Sequence, residues 1–397
     1  MTADNKYIIM SLLLPLLIVC QLSSTVSASV WTTLKYQHFF PHHGWVPMAL
    51  SSQTCAATLN EYLTNYTSYG THHDATVTAC YNHEACIFGA ADAAQTNNWN
   101  TAQVLLGLTP TLLASLGPQL GEVSIMSTKR PVLSLLLSMG AGTVYPTRVF
   151  EYSDPNAIVK ITRQKFDWLM IGPQRTVVAV LISALQYVIA LGSVVNTLTL
   201  VIQLGTDTVE SFDCLSYYYP VIWWLLAVLI HSLAAIPFIL RQLEKNNTAV
   251  GPAFPHDRTP SAMPTMQSKV FKGTIKQQWR DGLMTKFQTY LATTKRYLIL
   301  VGKAIQSEVT ICANQPPSRK IKVSKWTIVL NCCGGVLGFA HIVFGTVVFS
   351  AMLFIMTQDA AICVGRFGAS AICCRAVLVF ELVGMSADGK DSGDDQI

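Results

Sequence analysis

The sequence predicts a mainly α-helical fold: a multi-helix transmembrane bundle of about five spans with a small disulfide-containing N-terminal extracytoplasmic domain. Three observations predict it. Apolar residues make up 51 % of the 397-residue chain and charged residues only 12 %, against about 25 % in soluble domains. The deficit is local, because several runs of bilayer length carry no Lys, Arg, Asp or Glu. A helix facing lipid must be apolar and must satisfy its own backbone. The flanks of these runs alternate in sign, and basic flanks stay on the cytosolic side.

Residues 1–28 read as a signal peptide. A short polar start with Lys6 precedes an apolar core, and Val26-Ser27-Ala28 places a cut after Ala28. An uncut signal anchor is the alternative, and both deliver the next segment outside the cytosol. That segment, 29–101, is polar and acidic, with Lys35 set against Glu61, Asp74, Glu84 and Asp92. Asn65-Tyr66-Thr67 is a glycosylation sequon there.

The first span is expected at 102–126, kinked by Pro110 and Pro118, with Glu122 near its inner end. After Lys129 and Arg130, the run 131–145 is short for a crossing, so it is assigned as interfacial or re-entrant. A cytosolic loop at 146–175 leads to a second span at 176–204. An acidic outer loop, 205–217, leads to a third span at 218–240. The region 241–325 carries 15 Lys or Arg against 4 Asp or Glu, and is placed in the cytosol. Within it, 267–307 reads as an amphipathic helix with Lys269, Lys272, Lys276, Arg280 and Lys286 facing lipid. Such a helix suits anionic inner-leaflet lipids, and a partner groove is the rival reading. A fourth span is expected at 326–356. The run 360–385 is either a fifth span with Arg375 turned toward protein or an interfacial helix. The tail 386–397 is acidic and expected to be disordered.

In this arrangement Cys55, Cys80, Cys86 and Cys214 share the oxidising side, an even set that allows two disulfides. One of them then ties Cys214 to the outer domain. Cys80 and Cys86 are near enough to pair locally, and one disulfide with two free thiols is the other possibility. Six of the nine His lie in or beside this domain, at 38, 42, 43, 72, 73 and 83. Their spacing fits no closed metal motif, and solvated or hydrogen-bonded imidazoles are the expectation.

Polar groups recur inside the spans. Gln186, Ser193, Asn196 and Gln203 share one face of the second, and Asn331, Gly334, Gly338, His341 and Gly345 share one face of the fourth. Gly334, Gly338 and Gly345 would allow close helix approach. The two faces are expected to pack on each other. Glu122, Gln186, Asn196, His231, Asn331, His341 and Arg375 are the intramembrane polar candidates.

No P-loop, GxSxG, HExxH or kinase signature is present. A non-enzymatic sensor, scaffold or accessory subunit is therefore expected, without a cofactor. A small-solute or ion transporter using the polar faces of the second and fourth spans is the alternative. The expected partners are the bilayer, anionic inner-leaflet lipids, and a second copy or another membrane protein, but not nucleic acid. The expected location is a membrane of the secretory pathway, the plasma membrane first, with vacuolar or ER membranes as alternatives.

The run 99–145, with LLGLTPTLLASLGP (105–118) and STKRPVLSLLLSMGAG (127–142), resembles uncharacterised multispanning membrane proteins of filamentous fungi. The stretch 349–381, with Asp359, Arg366, Cys374 and Arg375, is similar to the C-terminal part of the same group. The likeness covers about a third of the chain. It implies a membrane location and no chemistry.

Overall fold

The computed structural model describes residues 34–67, 73–145, 155–166, 174–249, 306–315 and 325–385. The expected signal peptide, the acidic tail and Lys269, Lys272, Lys276, Arg280 and Lys286 lie outside the described residues.

Helix α1 (Trp45–Ala49) runs on into a π-helical turn, Leu50–Thr54, and is followed by α2 (Ala56–Thr67) and α3 (His73–Ala90). Their shared core is aromatic: Tyr36, Phe39, Tyr62 and Trp99 pack with Ile87 and with Phe354 from far along the chain. Two disulfides staple it, Cys55–Cys86 and Cys80–Cys214. Cys80 and Cys86 therefore do not pair with each other. They lie six residues apart in α3, nearly two turns, and each meets a partner from another segment. The bridges span 31 and 134 residues of chain. Loop-closure entropy puts their stabilising effects at about 4 and about 5 kcal/mol.

Helix α4 (Ala93–Leu116) starts nine residues ahead of the expected span. Its start is set by a capping box: Gln95 N–H donates to the Asp92 carboxylate at 2.7 Å, and Asp92 N–H donates to the Gln95 side chain at 3.1 Å. The single crossing expected over 102–126 is two helices. Gly117 is extended and Pro118 has no N–H to give, so α4 ends and α5 (Leu120–Ser127) begins with its own box between Gln119 and Glu122. Pro110 stays inside α4.

Helix α6 (Pro131–Ala141) turns back from the end of α5 and wedges between the longer helices. Helix α7 (Pro155–Lys165) packs beside α5 and α11 (Thr357–Gly384). The long helices are α8 (Thr176–Asp207), α9 (Tyr219–Ala249), α10 (Lys325–Ser350) and α11. Strand β1 (Val209–Glu210) pairs antiparallel with β2 (Met352–Leu353), Val209 opposite Leu353, and joins the α8–α9 loop to the α10–α11 loop. The fourth expected span thus stops at Ser350, because the chain leaves the helix to make this strand.

Among the described residues, four helices are long and apolar enough to cross a membrane: Thr176–Asp207, Tyr219–Ile236, Ile328–Ser350 and Thr357–Gly384. The segment 360–385 belongs to this set. Along α8, Val177, Leu181, Leu185, Val188, Leu191 and Val195 are exposed at steps of three and four. A stripe of that length on one helix is the surface of a body solvated by hydrocarbon.

The bundle has two unlike ends. The disulfide end gathers residues 34–67 and 73–98, the β1–β2 ribbon and the starts of α4, α9 and α11. The other end gathers 127–131, the start of α8, residues 306–315 and the last turn of α11.

Candidate functional site

A buried polar node lies at the second end, around Arg130, which is wholly buried. Arg130 is the residue before Pro131, so the proline starts α6 and the arginine stands just outside it. Its guanidinium donates to Glu381 at 2.9 Å and to the Gln186 side-chain oxygen at 2.6 Å. It also donates to Ser183 Oγ at 2.6 Å and to the Glu308 carbonyl at 2.7 Å. The Tyr187 ring lies 5.4 Å from the guanidinium carbon, within cation–π range. Gln186 in turn donates to Glu381.

Residues 306–315 are built into this node. The Glu308 carboxylate accepts the Val132 N–H at 2.7 Å and the Tyr187 hydroxyl. Cys312 N–H donates to the second Glu381 oxygen at 2.8 Å. Asn314 exchanges two 2.8 Å bonds with the backbone of Gln174. Burial pushes the Glu308 carboxyl up, and its hydrogen bonds from Tyr187 and Val132 pull it back. The node therefore fastens α6, α8 and α11 to the segment that ends the basic region.

Farther into the bundle, Arg375 pairs with Glu122 at 2.6 Å and donates to the Gly117 carbonyl at 3.1 Å. The break between α4 and α5 supplies both acceptors. Arg375 thus faces protein and its charge is met, while Glu381 is taken by Arg130. On the other flank of α11, Arg366 donates to Asn196 Oδ1 at 3.0 Å, and Asn196 Nδ2 donates to Ser370 Oγ at 2.8 Å. His231 contacts the Thr143 carbonyl at 3.0 Å, and His341 the Trp223 carbonyl at 2.9 Å. His341 also stacks on Trp223.

The polar face of α8 and the small-residue face of α10 do not meet, contrary to the sequence expectation. Gln186, Ser193 and Asn196 look toward α6 and α11. A side chain at Gly334 would strike Leu120 of α5, and one at Gly345 would strike Trp223 of α9 and Pro110 of α4. Gly338 is buried on the same helix. Helix α10 packs on α4 and α9, while α8 packs on α6, α9 and α11. The side chain of Asn331 lies outside the described residues.

At the disulfide end, buried Lys35 donates to the carbonyls of Gly205 and Thr208 at 2.6 and 2.9 Å, capping the end of α8. Glu210 is fully buried beside it. Burial pulls both groups toward their neutral forms, and their mutual attraction opposes that. His83 is held between Ser51 Oγ at 2.9 Å and Thr58 Oγ1 at 2.8 Å, and burial lowers its pKa to about 4. Glu84 next to it is pushed by burial up to about 7. Asn65 lies in the last turns of α2, and its carbonyl accepts from Thr76 Oγ1 at 3.0 Å. Among the described residues, no group of three or more His, Cys, Asp or Glu could hold a metal ion.

Sequence reasoning missed Arg130, Ser183, Tyr187, Glu308 and Glu381 as one group. Arg130 read as a basic flank and Glu308 as one charge in a basic region. The usable signal was Glu381 itself, a carboxylate in an apolar helix with no partner on that helix.

Fold and site together define the class: a helical membrane protein with two disulfides in its N-terminal region and charged pairs buried between its helices. Comparison with protein-family models, curated proteins and solved structures finds no match to this chain.

Proposed function

We propose that this chain is a non-enzymatic multispanning protein of a secretory-pathway membrane, acting as a sensor, scaffold or accessory subunit. It would join an extracytoplasmic disulfide-tied domain to a basic cytosolic segment. The observation that carries this reading is the docking of 306–315 onto Arg130 and Glu381. It fastens the basic region to α8 and α11, the same two helices whose far ends hold the disulfide-bearing domain through Lys35 on Gly205 and His43 on Asp359.

The same reading takes residues 1–28 as a signal peptide and Asn65 as glycosylated. It places 267–307 on the anionic inner leaflet. Helix α4 with α5 completes the expected five passages, and α6 is re-entrant from the cytosolic side. Likeness to the fungal multispanning group agrees with the location and adds no activity.

Cross-linking in native membranes tests the role. A partner protein or second copy should be captured at fixed stoichiometry, and capture should fall when Glu308→Ala loosens the docked segment. Saturable solute or ion flux in proteoliposomes, abolished by Asn196→Leu in folded protein, would replace this reading with transport. Glycosylation at Asn246 would invert the topology.

A further inference from the structure

Trp45 is 70 % exposed, while the residues on either side of it in sequence, Gly44 and Val46, are buried. A large aromatic side chain held that far out needs an environment other than the protein core. The turn that presents it is fixed. Phe40 is buried in the core of the bundle, and Phe39 packs edge-on against Phe354 at 6.3 Å. The chain then reverses, with Gly44 N–H bonded to the Phe40 carbonyl at 2.7 Å. A side chain at Gly44 would lie 2.6 Å from Phe39 Cβ, so the reversal leaves no room for one there. His43 N–H donates to Asp359 in the first turn of α11 at 3.3 Å. Trp45 is therefore held level with the end of a helix able to cross a membrane.

A second aromatic group stands at the same end of the bundle. Phe212, 44 % exposed, packs on Tyr219 with ring centres 5.0 Å apart, and Tyr218 packs on Tyr219 at 4.6 Å. These residues begin α9, another candidate span. Trp and Tyr concentrate at the headgroup level of a bilayer, because the ring is apolar and its N–H or O–H is not.

We propose that the disulfide-bearing domain rests on the membrane surface, with Trp45 inserted among lipid headgroups beside the start of α11. Trp45, Phe212, Tyr218 and Tyr219 mark the level of that interface, and the turn at 40–45 is its anchor. The occupant is lipid because the turn carrying Trp45 is tied through His43 and Asp359 to the first turn of a helix able to cross a membrane. A protein partner would find the same indole in water when the chain is alone.

The inference rests on the membrane reading, and its test separates the two. The full chain and Trp45→Phe are placed in lipid nanodiscs. Tryptophan emission is quenched by lipids brominated near the headgroup, by lipids brominated near the chain ends, and by aqueous iodide. The emission lost in Trp45→Phe should be quenched at least twofold more by shallow than by deep bromine, and should resist iodide. Quenching of that emission by iodide alone, or more by deep than by shallow bromine, overturns the proposal. Failure of the membrane reading would look different, as release of the whole chain from native membranes by alkaline carbonate.

Discussion

Arg130 and Glu381, 251 residues apart in sequence, meet at 2.9 Å with neither side chain exposed. Taking two charges out of solvent costs several kcal/mol each, so the pair persists only because further bonds surround it. Ser183, Gln186, the Glu308 carbonyl and the Cys312 amide supply them. Arg130→Met should lower unfolding stability by about 3–5 kcal/mol, since Glu381 would be left buried and unpaired. The double change Arg130→Met with Glu381→Leu should recover part of that loss, the remainder being the Gln186 side chain and the Cys312 amide left without partners. Thermal unfolding in detergent measures both, and additive losses in the double variant would refute the pairing.

The docked segment 306–315 gives a local prediction. Glu308→Ala strands the Val132 amide and the Tyr187 hydroxyl. Hydrogen exchange over 306–315 should quicken by about tenfold or more, with residues 34–98 unchanged. Equal rates in both proteins would mean that the segment is held by something other than Glu308.

The disulfides predict a pattern of peptides and of stability. Non-reduced digests should contain Cys55 joined to Cys86 and Cys80 joined to Cys214. A peptide with Cys80 bridged to Cys86 would contradict the fold. Cys214→Ser should cost about 2–5 kcal/mol and loosen the disulfide-bearing domain from the α8–α9 loop. Limited proteolysis within residues 34–92 reports that release.

Lys35 and Glu210 predict a pH dependence with a definite sign. Glu210 is raised from its ordinary value by burial, so the folded state holds its proton longer. Its contribution is fully present below the ordinary carboxyl range and is lost as pH rises through the shifted value. Lys35 is lowered by burial, so stability returns as pH climbs from its shifted value toward that of a free lysine. Stability at this junction should pass through a minimum at mildly alkaline pH. Glu84 and His83 titrate in the same domain. The quantity to follow is therefore the unfolding temperature of the native chain minus that of Glu210→Gln. It should decline by several degrees from pH 5 toward pH 8. A flat difference would show that Glu210 does not carry the effect.

Two glycines should behave oppositely. An added methyl at Gly345 meets the Trp223 indole and Pro110, so Gly345→Ala should destabilise by about 1–3 kcal/mol. Gly192 has open space around it, and Gly192→Ala should be neutral or stabilising by up to about 1 kcal/mol. Comparing their unfolding midpoints in detergent checks the packing of α10 on α4 and α9.

Much of this was legible in the residues. The runs of α8, α9 and α10 announce themselves by hydropathy, and one of the two readings of 360–385 had Arg375 in α11 turned toward protein, where it meets Glu122. Counting cysteines allowed a tie from Cys214 to the N-terminal domain, and left open one disulfide with two free thiols. Less legible were the break at Gly117-Pro118 and the true partners of α8. A face rich in Gln, Ser and Asn says that a helix will pack, but carries no address for its neighbour. Here α6 and α11 fill that face, while Gly334 of α10 goes to α5 and Gly345 to α4 and α9.

By itself the sequence determined the medium of this protein and the periodic faces of its helices, because solvation by hydrocarbon acts residue by residue. Tertiary structure alone decided which charges cancel. Arg130 with Glu381 and Arg375 with Glu122 are pairings between segments about 250 residues apart. A buried ion is satisfied only by geometry in three dimensions, and spacing along the chain holds no record of it.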